Sequence, residues 1–219
     1  ECVTDLLAHP GKSVVTAGSH QPVEVHELVY FINDLLDANG HTVTYLNIPN
    51  YSASTIQDLG VNLENGRIET LIIIGGNPVY NAPHDLNWLE LQKSVNEVIR
   101  YGYFFDETSI EATYHISATH YLESWSDGRT FDGTIVPVQP MIRPLFEGMQ
   151  ELELLARLAG IKKADPYTLV KKTITDLSDE VDEERIFDRF LSNGFLKNSS
   201  FTNTPVSVNQ SRIKRTITT

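Results

Sequence analysis

The feature that most limits the possible folds is the run Thr-Leu-Ile-Ile-Ile at residues 70–74, which leads directly into Gly-Gly-Asn-Pro at residues 75–78. A short, continuous, β-branched apolar run is typical of a central parallel strand that is buried on both faces. Parallel sheets of this kind occur in proteins whose strands alternate with helices. The sequence therefore predicts an α/β fold in which segment 75–78 lies at the carboxyl end of a strand.

The amino-terminal part of the chain predicts the same alternation of strands and helices. Residues 13–17 (Ser-Val-Val-Thr-Ala) predict a short strand. Residues 23–38 carry apolar side chains at three- and four-residue steps, which predicts an amphipathic helix that ends at Asn39-Gly40. Residues 42–46 predict a second strand. A strand, a helix and a strand in this order predict a βαβ unit with parallel strands.

The remaining predicted elements complete an α/β pattern. Segment 119–148, which is rich in Gly and Pro, predicts a long irregular loop that is functional or packs on a neighbouring domain. We expect a Rossmann-like, mostly parallel sheet flanked by helices, in one domain over residues 1–197 with a polar tail at 198–219. The further elements are helices at 86–99, 151–158 and 165–175, a last helix capped by Asp179, strands at 101–105 and 114–116, and a short extended piece at 134–138.

Charge and cysteine content exclude several classes of partner and cofactor. The formal net charge of −12 argues against nucleic acid and anionic lipid as partners, because both repel an acidic protein. No apolar run is long enough for a membrane span. The single cysteine, Cys2, cannot form an internal disulfide or hold an iron–sulphur cluster by itself. Because the chain begins at Glu1 without a basic, apolar leader, we expect a segment excised from a larger protein.

The strand exit at 75–78 is the strongest candidate binding feature. Gly75 and Gly76 would let a ligand approach the backbone closely, Asn77 offers a donor and an acceptor, and Pro78 restricts the turn. The alternative is a tight turn after a buried strand, since Gly-Gly-Asn-Pro is also good turn chemistry. The segment is neither a P-loop nor the spaced three-glycine dinucleotide fingerprint.

Polar residues follow two other predicted strands. The strand predicted at 13–17 is followed by Gly18-Ser19-His20-Gln21. The strand predicted at 101–105, which is rich in aromatic residues, is followed by Asp106-Glu107-Thr108-Ser109. Because the carboxyl ends of parallel strands meet at one edge of a sheet, these loops would converge on one ligand. The alternative for each residue is local capping of a helix or a turn.

A third group of residues suggests a different class of protein. His115, His120 and Glu123, with Asp127 nearby, are residue types that bind zinc or a similar metal. Their spacing is not His-Glu-x-x-His, and the chain has no Gly-x-Ser-x-Gly elbow for a serine nucleophile. A metal-dependent hydrolase therefore stays an alternative to structural, hydrogen-bonded histidines.

The motifs in their order resemble the molybdopterin oxidoreductase family. Residues 71–78, followed by Ala82-Pro83, resemble its Gly-x-Asn-Pro stretch, and segments 106–109 and 112–118 follow in the family's order. Leu-Glu-Ser-Trp at 122–125 and Gln-Pro-x-Ile-x-Pro-Leu at 139–145 most resemble one branch of the family. That branch contains the large iron–sulphur subunit of alternative complex III and related Tat-exported proteins. The resemblance spans about residues 13–195, and Ser117 replaces the family's usual proline.

The resemblance implies either a molybdopterin cofactor site, as in catalytic members of the family, or the same fold without its molybdenum site. In catalytic members, the loops that match 75–78, 18–21 and 107–109 help to hold the guanine dinucleotide ends of the molybdopterin cofactor. In the alternative complex III branch, the subunit keeps the fold without molybdenum and serves as a scaffold, with iron–sulphur clusters bound elsewhere. The residues expected to contact a cofactor in the parent protein are Gly18, His20, Gln21, Gly75, Gly76, Asn77, Pro78, Glu107, Thr108, Ser109, His120 and Glu123.

Three hypotheses follow for the function. The first is an α/β domain of a respiratory oxidoreductase subunit on the periplasmic side of the bacterial inner membrane. This domain would be non-catalytic by itself and would pack on the other domains and subunits. The second is the part of a catalytic molybdenum oxidoreductase that binds molybdopterin guanine dinucleotide. The third is a metal-dependent hydrolase, which rests on His115, His120 and Glu123 and not on the family resemblance. The matched region has no cysteine to ligate molybdenum, so we expect no catalytic residue and no cofactor in the isolated chain.

Overall fold

The computed structural model describes residues 1–50, 53–209 and 213. The chain divides into two compact units, Glu1–Pro49 with Ser200–Thr219 and Asn50–Ser199. The fold is mixed α/β and contains a parallel sheet, as the sequence predicted. Over the described part of the chain, no helix has the length and apolar character needed to cross a membrane.

Helices α1 (Cys2–Ala8) and α2 (Val23–Leu35) lie in the first unit. The prediction of α2 is confirmed, but the strands predicted at 13–17 and 42–46 are wrong. In segment 13–17, the backbone of Val15 is hydrogen-bonded to the side chain of Asn33 and not to a neighbouring strand. Val15 donates its N–H to Oδ1 of the buried Asn33 over 2.8 Å, and its carbonyl accepts from Nδ2 of the same side chain over 2.9 Å.

Residues 43–47 of the first unit form only isolated bridges. Leu46 pairs with Asn203 in an antiparallel bridge, and Val43 pairs with Asn39. Asn47 also donates its N–H to the carbonyl of Thr202 over 2.9 Å. The start of the predicted tail therefore contributes backbone hydrogen bonds to this unit. The prediction of one domain over 1–197 with a separate tail stays a prediction for the intact protein.

The first half of the second unit is built around a three-stranded parallel sheet. The strands lie in the order β1-β2-β3, so β1 is an edge strand of this sheet. The elements are β1 (Thr70–Ile74), β2 (Glu97–Gly102) and β3 (Tyr114–Ser117), with α3 (Ile56–Glu64), α4 (Pro78–Asn81), α5 (Trp88–Lys93) and α6 (Glu107–Ile110) and a 3₁₀ turn at His84–Leu86.

The position of β1 corrects the prediction of a central strand buried on both faces. Only Leu71 of this strand is buried, and Ile74 is 38% exposed. Leu71 lies opposite Val98 in the register with β2. The apolar run correctly predicted a parallel strand, but apolar content does not decide whether a strand lies at the centre or the edge of its sheet.

The boundaries around β2 also differ from the prediction. The helix predicted over 86–99 ends at Lys93, because residues 97–102 pair with β1 on one side and β3 on the other. The aromatic strand predicted over 101–105 ends at Gly102, and residues 103–105 are exposed. Long-range pairing with two strands thus outweighs the helical spacing of the apolar residues.

The second half of the second unit combines a hairpin with three helices. These are β4 (Ser126–Arg129), β5 (Ile135–Val138), α7 (Glu151–Leu158), α8 (Pro166–Asp176) and α9 (Glu183–Asn193). Strand β5 and helices α7 and α8 were predicted, whereas β4, which lies within the predicted loop 119–148, was not. The cap of α9 is Asp182, which accepts the N–H of Arg185 over 3.1 Å, and not Asp179.

Two apolar clusters form the interior of the second unit. The sheet core packs α3 and α5 against β1 and β2, and its members include Leu63, Leu71, Trp88, Leu91 and Val98. The hairpin–helix core packs α8 and α9 against β5, and its members include Ile135, Val170, Ile174, Phe187 and Phe190. The sheet core supports the strand ends where the candidate site lies.

Candidate functional site

The loop after β1 presents open backbone. Gly75 and Gly76 have φ angles of 64° and 60°, in the left-handed region that favours glycine. Apart from the adjoining residues, no heavy atom of the described part of the chain lies within 4 Å of the position that a Cβ would take at either glycine. The N–H of Gly75 donates to the carbonyl of Tyr101 over 3.1 Å, which ties the loop to the end of β2. The glycines therefore give a ligand close access to the main chain.

The loops after β1 and β2 come together, as the sequence predicted. Asn77 Nδ2 donates to Oε2 of Glu107 over 2.7 Å, and Asn77 Oδ1 accepts from Oγ1 of Thr108 over 2.7 Å. Thr108 Oγ1 in turn accepts the N–H of Val79 over 3.1 Å. Both ends of the Asn77 amide are thus engaged by the neighbouring loop. Pro78 is the first residue of α4, a place where its missing N–H costs nothing.

The buried side chain of Gln92, which the sequence reasoning missed, supports the contact between Asn77 and Thr108 from the interior of the unit. Gln92 is fully buried on α5 and donates its Nε2 to the carbonyl of Thr108 over 3.1 Å. Its Oε1 accepts from Nε1 of Trp88 over 3.0 Å. Gln92 therefore couples the position of α6 to that of α5. A glutamine among apolar residues of a predicted helix was the available signal.

A second missed residue, Arg100, holds the two loops through its charge. Its side chain is only 4% exposed on β2, and Nη2 lies 2.9 Å from Oδ2 of Asp106. Nη1 donates to the carbonyl of Gly75 over 2.9 Å and also contacts the carbonyl of Tyr101. One guanidinium therefore joins the loop after β1, the end of β2 and the loop after β2. A lone arginine within a strand was the signal that sequence reasoning passed over.

Two carboxylates at this edge have lowered pKa values. Partial burial acts to raise the pKa of Asp106, but hydrogen bonds from Arg100 and Ser109 and the charge of Arg100 outweigh it and hold the pKa at about 2. Ser109, another predicted site residue, donates both its N–H and its hydroxyl to Asp106 over 2.9 Å. The hydrogen bond from Asn77 lowers the pKa of the exposed Glu107. Both groups are anionic at neutral pH.

The charges beside the loop after β1 suit a hydrogen-bond donor of a ligand better than an anionic group. The charge of Asp106 is balanced by Arg100, whereas the side chain that donates to Glu107 is the neutral amide of Asn77. A phosphate beside the open glycines would meet the repulsion of Glu107. The N–H groups of a base edge would instead find a carboxylate acceptor. The backbone of Gly75 and Gly76 is open to a ligand, and the carboxylate beside it favours a hydrogen-bond donor over an anion.

His120 and Glu123 form a local capping structure within segment 120–145. Glu123 Oε2 accepts the N–H of His120 over 2.9 Å, and Oε1 accepts the N–H of Leu145 over 3.0 Å. These bonds, from Leu145 first and then His120, lower the pKa of Glu123. His120 Nδ1 accepts the N–H of Leu122 over 3.3 Å and completes a capping box. Both residues are therefore occupied in shaping segment 120–145.

The proposed metal ligands are not brought together. His115 lies on β3, where its ring packs edge-on against Phe105 at 5.4 Å. Asp127 lies on β4, and burial raises its pKa. Within residues 1–50, 53–209 and 213, no three His, Cys, Asp or Glu side chains are placed to hold a metal ion. The structure thus gives no support to the grouping of His115, His120 and Glu123.

The remaining predicted residues lie in the first unit. Gly18, His20 and Gln21 form a turn before α2, in which the N–H of Gln21 donates to the carbonyl of Gly18 over 3.0 Å. Their side chains interact locally, with Gln21 Nε2 3.0 Å from Nε2 of His20. Their convergence with segment 75–78 stays a prediction. Cys2, the only cysteine of the chain, is exposed on α1 of the same unit.

Comparison with known proteins adds no identification to this geometry. No protein-family model matches the chain, and no curated protein matches its sequence.

Proposed function

We propose that this chain is the α/β domain of a molybdopterin-oxidoreductase-like subunit in a respiratory electron-transfer complex, and that it acts there as a scaffold without catalysis of its own. The observation that carries this proposal is the engagement of Asn77. Both ends of its amide are used by Glu107 and Thr108. The loops at the sheet edge are therefore stabilised by each other and do not require a ligand.

An exposed apolar segment, 141–146, supports the role as a scaffold. Phe146 is 83% exposed, and Met141 and Leu145 are also largely exposed. The backbone of the segment is nevertheless held in place, since Met141 donates its N–H to the carbonyl of Leu122 over 2.7 Å and Leu145 donates to Glu123. An ordered apolar segment at the surface is typical of a docking site for another domain or subunit.

The experiment is purification of the tagged protein from its native membranes, followed by analysis of metals and pterin. We expect it to elute in a complex that contains iron and acid-labile sulphide but neither molybdenum nor pterin. Stoichiometric molybdenum with pterin would overturn the scaffold role and favour the catalytic alternative. Elution as a free monomer without iron would contradict both.

A matched pair of variants tests the docking surface. Phe146→Asp places a charge in segment 141–146 and should release the protein from the complex. Phe131→Asp changes a fully exposed ring in the hairpin turn between β4 and β5 and should leave the complex intact. Equal behaviour of the two variants would show that segment 141–146 is not the docking surface.

A second candidate function, binding of the guanine end of a molybdopterin dinucleotide, is favoured by one observation. The open backbone of Gly75 and Gly76 lies next to the exposed carboxylate of Glu107. Glu107 is an acceptor that suits the N–H groups of guanine. Titration with GMP separates the two candidates, and AMP is the control because adenine has an amino group but not the adjacent N1–H and N2–H donors of guanine. The scaffold role predicts no binding of either nucleotide at millimolar concentration. Cofactor binding predicts that GMP binds and that Glu107→Gln abolishes its preference over AMP.

A further inference from the structure

A small cavity of about 180 Å³ in the second unit is separate from the loops at residues 75–78 and 107–109. It lies where the end of β2, segment 119–126 and the start of α7 meet. This volume is below the range of about 300–1,000 Å³ that is typical of pockets for drug-sized ligands. The cavity is therefore suited to a ligand of only a few heavy atoms.

Four aromatic side chains line this cavity. They are Tyr101, Tyr103, Tyr121 and Trp125. Tyr101 is buried, and its hydroxyl donates to the carbonyl of Met149 over 2.9 Å. Trp125 is held by the ring of Tyr167, whose centroid lies 5.1 Å away. These two rings are therefore fixed parts of the cavity wall.

The other two aromatic rings are exposed. Tyr103 and Tyr121 are 57% and 59% exposed. The ring of His120 lies near both, with its centroid 5.9 Å from that of Tyr103 and 4.2 Å from that of Tyr121. These contacts place His120 beside the two exposed rings of the wall.

The charged residue of the lining is Glu151, in the first turn of α7. No Lys, Arg or His among the described residues lies within ion-pair distance of its carboxylate. Burial and, after it, the negative charge of Glu151 raise the pKa of Tyr101, one of the rings of the cavity wall. Two polar groups of the lining satisfy each other, since Thr119 Oγ1 lies 2.7 Å from Ser124 Oγ.

We propose that this cavity binds a small organic ammonium cation. Aromatic faces attract ammonium groups, most strongly quaternary or methylated ones, and an unpaired carboxylate adds a charge of the opposite sign. A neutral apolar ligand would gain nothing from Glu151, and an anion would be repelled by it. Neither the scaffold role nor nucleotide binding requires this site, so the proposal is independent of both.

The test uses choline as the probe and 3,3-dimethylbutan-1-ol as its neutral counterpart of the same shape. Both are titrated into the full chain by isothermal calorimetry at low ionic strength. We expect choline to bind at least ten-fold more tightly than the alcohol, because only choline carries the positive charge. Equal affinities, or no binding of choline up to 50 mM, would overturn the proposal.

Variants of two lining residues locate the site. Tyr103→Leu should weaken choline binding at least five-fold, whereas Tyr103→Phe keeps the ring and should stay within two-fold of the parent. Glu151→Gln should weaken binding and make it less sensitive to salt. Glu64→Gln, which removes an exposed charge at the end of α3, should change neither property. Because Tyr103 and Glu151 are exposed, these changes should leave the folded chain intact.

Two outcomes would place choline elsewhere and overturn the proposal. One is binding that is unchanged in both Tyr103→Leu and Glu151→Gln. The other is an equal loss of affinity in Glu151→Gln and Glu64→Gln, which would indicate a general effect of net charge. A GMP titration of the same variants keeps this test separate from the proposed function, since neither change lies in the loops at residues 75–78 or 107–109.

Discussion

The edge of the parallel sheet and the hairpin–helix core hold the second unit together in different ways. At the sheet edge, one buried guanidinium and one side-chain amide join the loops by directed hydrogen bonds. In the hairpin–helix core, contacts are almost wholly apolar, with Val170, Ile174, Phe187 and Phe190 nearly inaccessible to solvent. Apolar packing depends on volume and is insensitive to pH, whereas the charged edge depends on protonation and geometry.

This difference predicts distinct responses to the same treatments. The core should lose stability when volume is removed, at any pH at which the protein folds. The edge should lose stability when a charge is removed or neutralised.

Removal of a core ring should have the largest effect. Phe187→Ala leaves a cavity between α8 and α9 and should lower the free energy of unfolding by about 4 kcal/mol. Urea denaturation at pH 7 and at pH 4 measures this loss, which should be the same at both values. Phe131→Ala removes a fully exposed ring and should cost almost nothing. A loss below about 1 kcal/mol for Phe187→Ala would contradict the assignment of this ring to the core.

Loss of the buried guanidinium should come next. Arg100→Met leaves Asp106 and the carbonyl of Gly75 without their partner and should cost about 3 kcal/mol. Urea denaturation measures this loss, and the double variant Arg100→Met with Asp106→Asn should recover part of it, because the unpaired carboxylate is also removed. Arg67→Met, at an exposed arginine, serves as the control. Additive losses in the double variant would mean that the two groups do not interact.

Acid should weaken the edge and leave the core unaffected. Because the pKa of Asp106 is held at about 2, below its ordinary value of 3.8, its contribution to stability is complete above about pH 5 and is lost as the pH falls toward 2. The loss should be about 2 kcal/mol. Denaturation midpoints from pH 6 to pH 2 measure it. Asp106→Asn should remove this part of the pH dependence, and an unchanged profile in that variant would refute the role of Asp106.

The smallest effect should come from the amide at the loop contact. Asn77→Ala removes the hydrogen bonds to Glu107 and Thr108 and should cost about 1 kcal/mol, since part of the contact is open to water. Amide hydrogen exchange should rise in segments 75–79 and 107–109 and not in α8 or α9. Asn81→Ala, at an exposed asparagine at the end of α4, should change neither quantity. Faster exchange in α9 of Asn77→Ala would contradict the separation of edge and core.

The sequence alone predicted elements whose signals are local. Asp165 followed by Pro166 marked the start of α8, and Asp165 indeed accepts the N–H of Thr168. The spacing of apolar residues located α2 and α7, and the apolar run located β1. These predictions succeeded because capping, proline geometry and apolar spacing act over a few residues.

The sequence could not predict the choice of partner for each segment. Residues 95–99 have an apolar spacing that suits a helix, and only pairing with β1 and β3 makes residues 97–102 a strand. Residues 13–17 have the composition of a strand, yet the described structure pairs Val15 with the amide of Asn33. Partner choice depends on segments far along the chain, so a local pattern does not contain it.

Some features of the candidate site were determined by the sequence alone, and others only by the tertiary structure. The sequence alone determined that Gly-Gly-Asn-Pro ends a strand and that residues 107–109 follow the next predicted strand, because both depend on local turn and capping chemistry. Only the tertiary structure decided that Asn77 binds Glu107 and Thr108, and that Arg100 and Gln92 support the loops from the interior. The physical reason is that a buried polar group must find its partners in space, and the chain order does not specify where they lie.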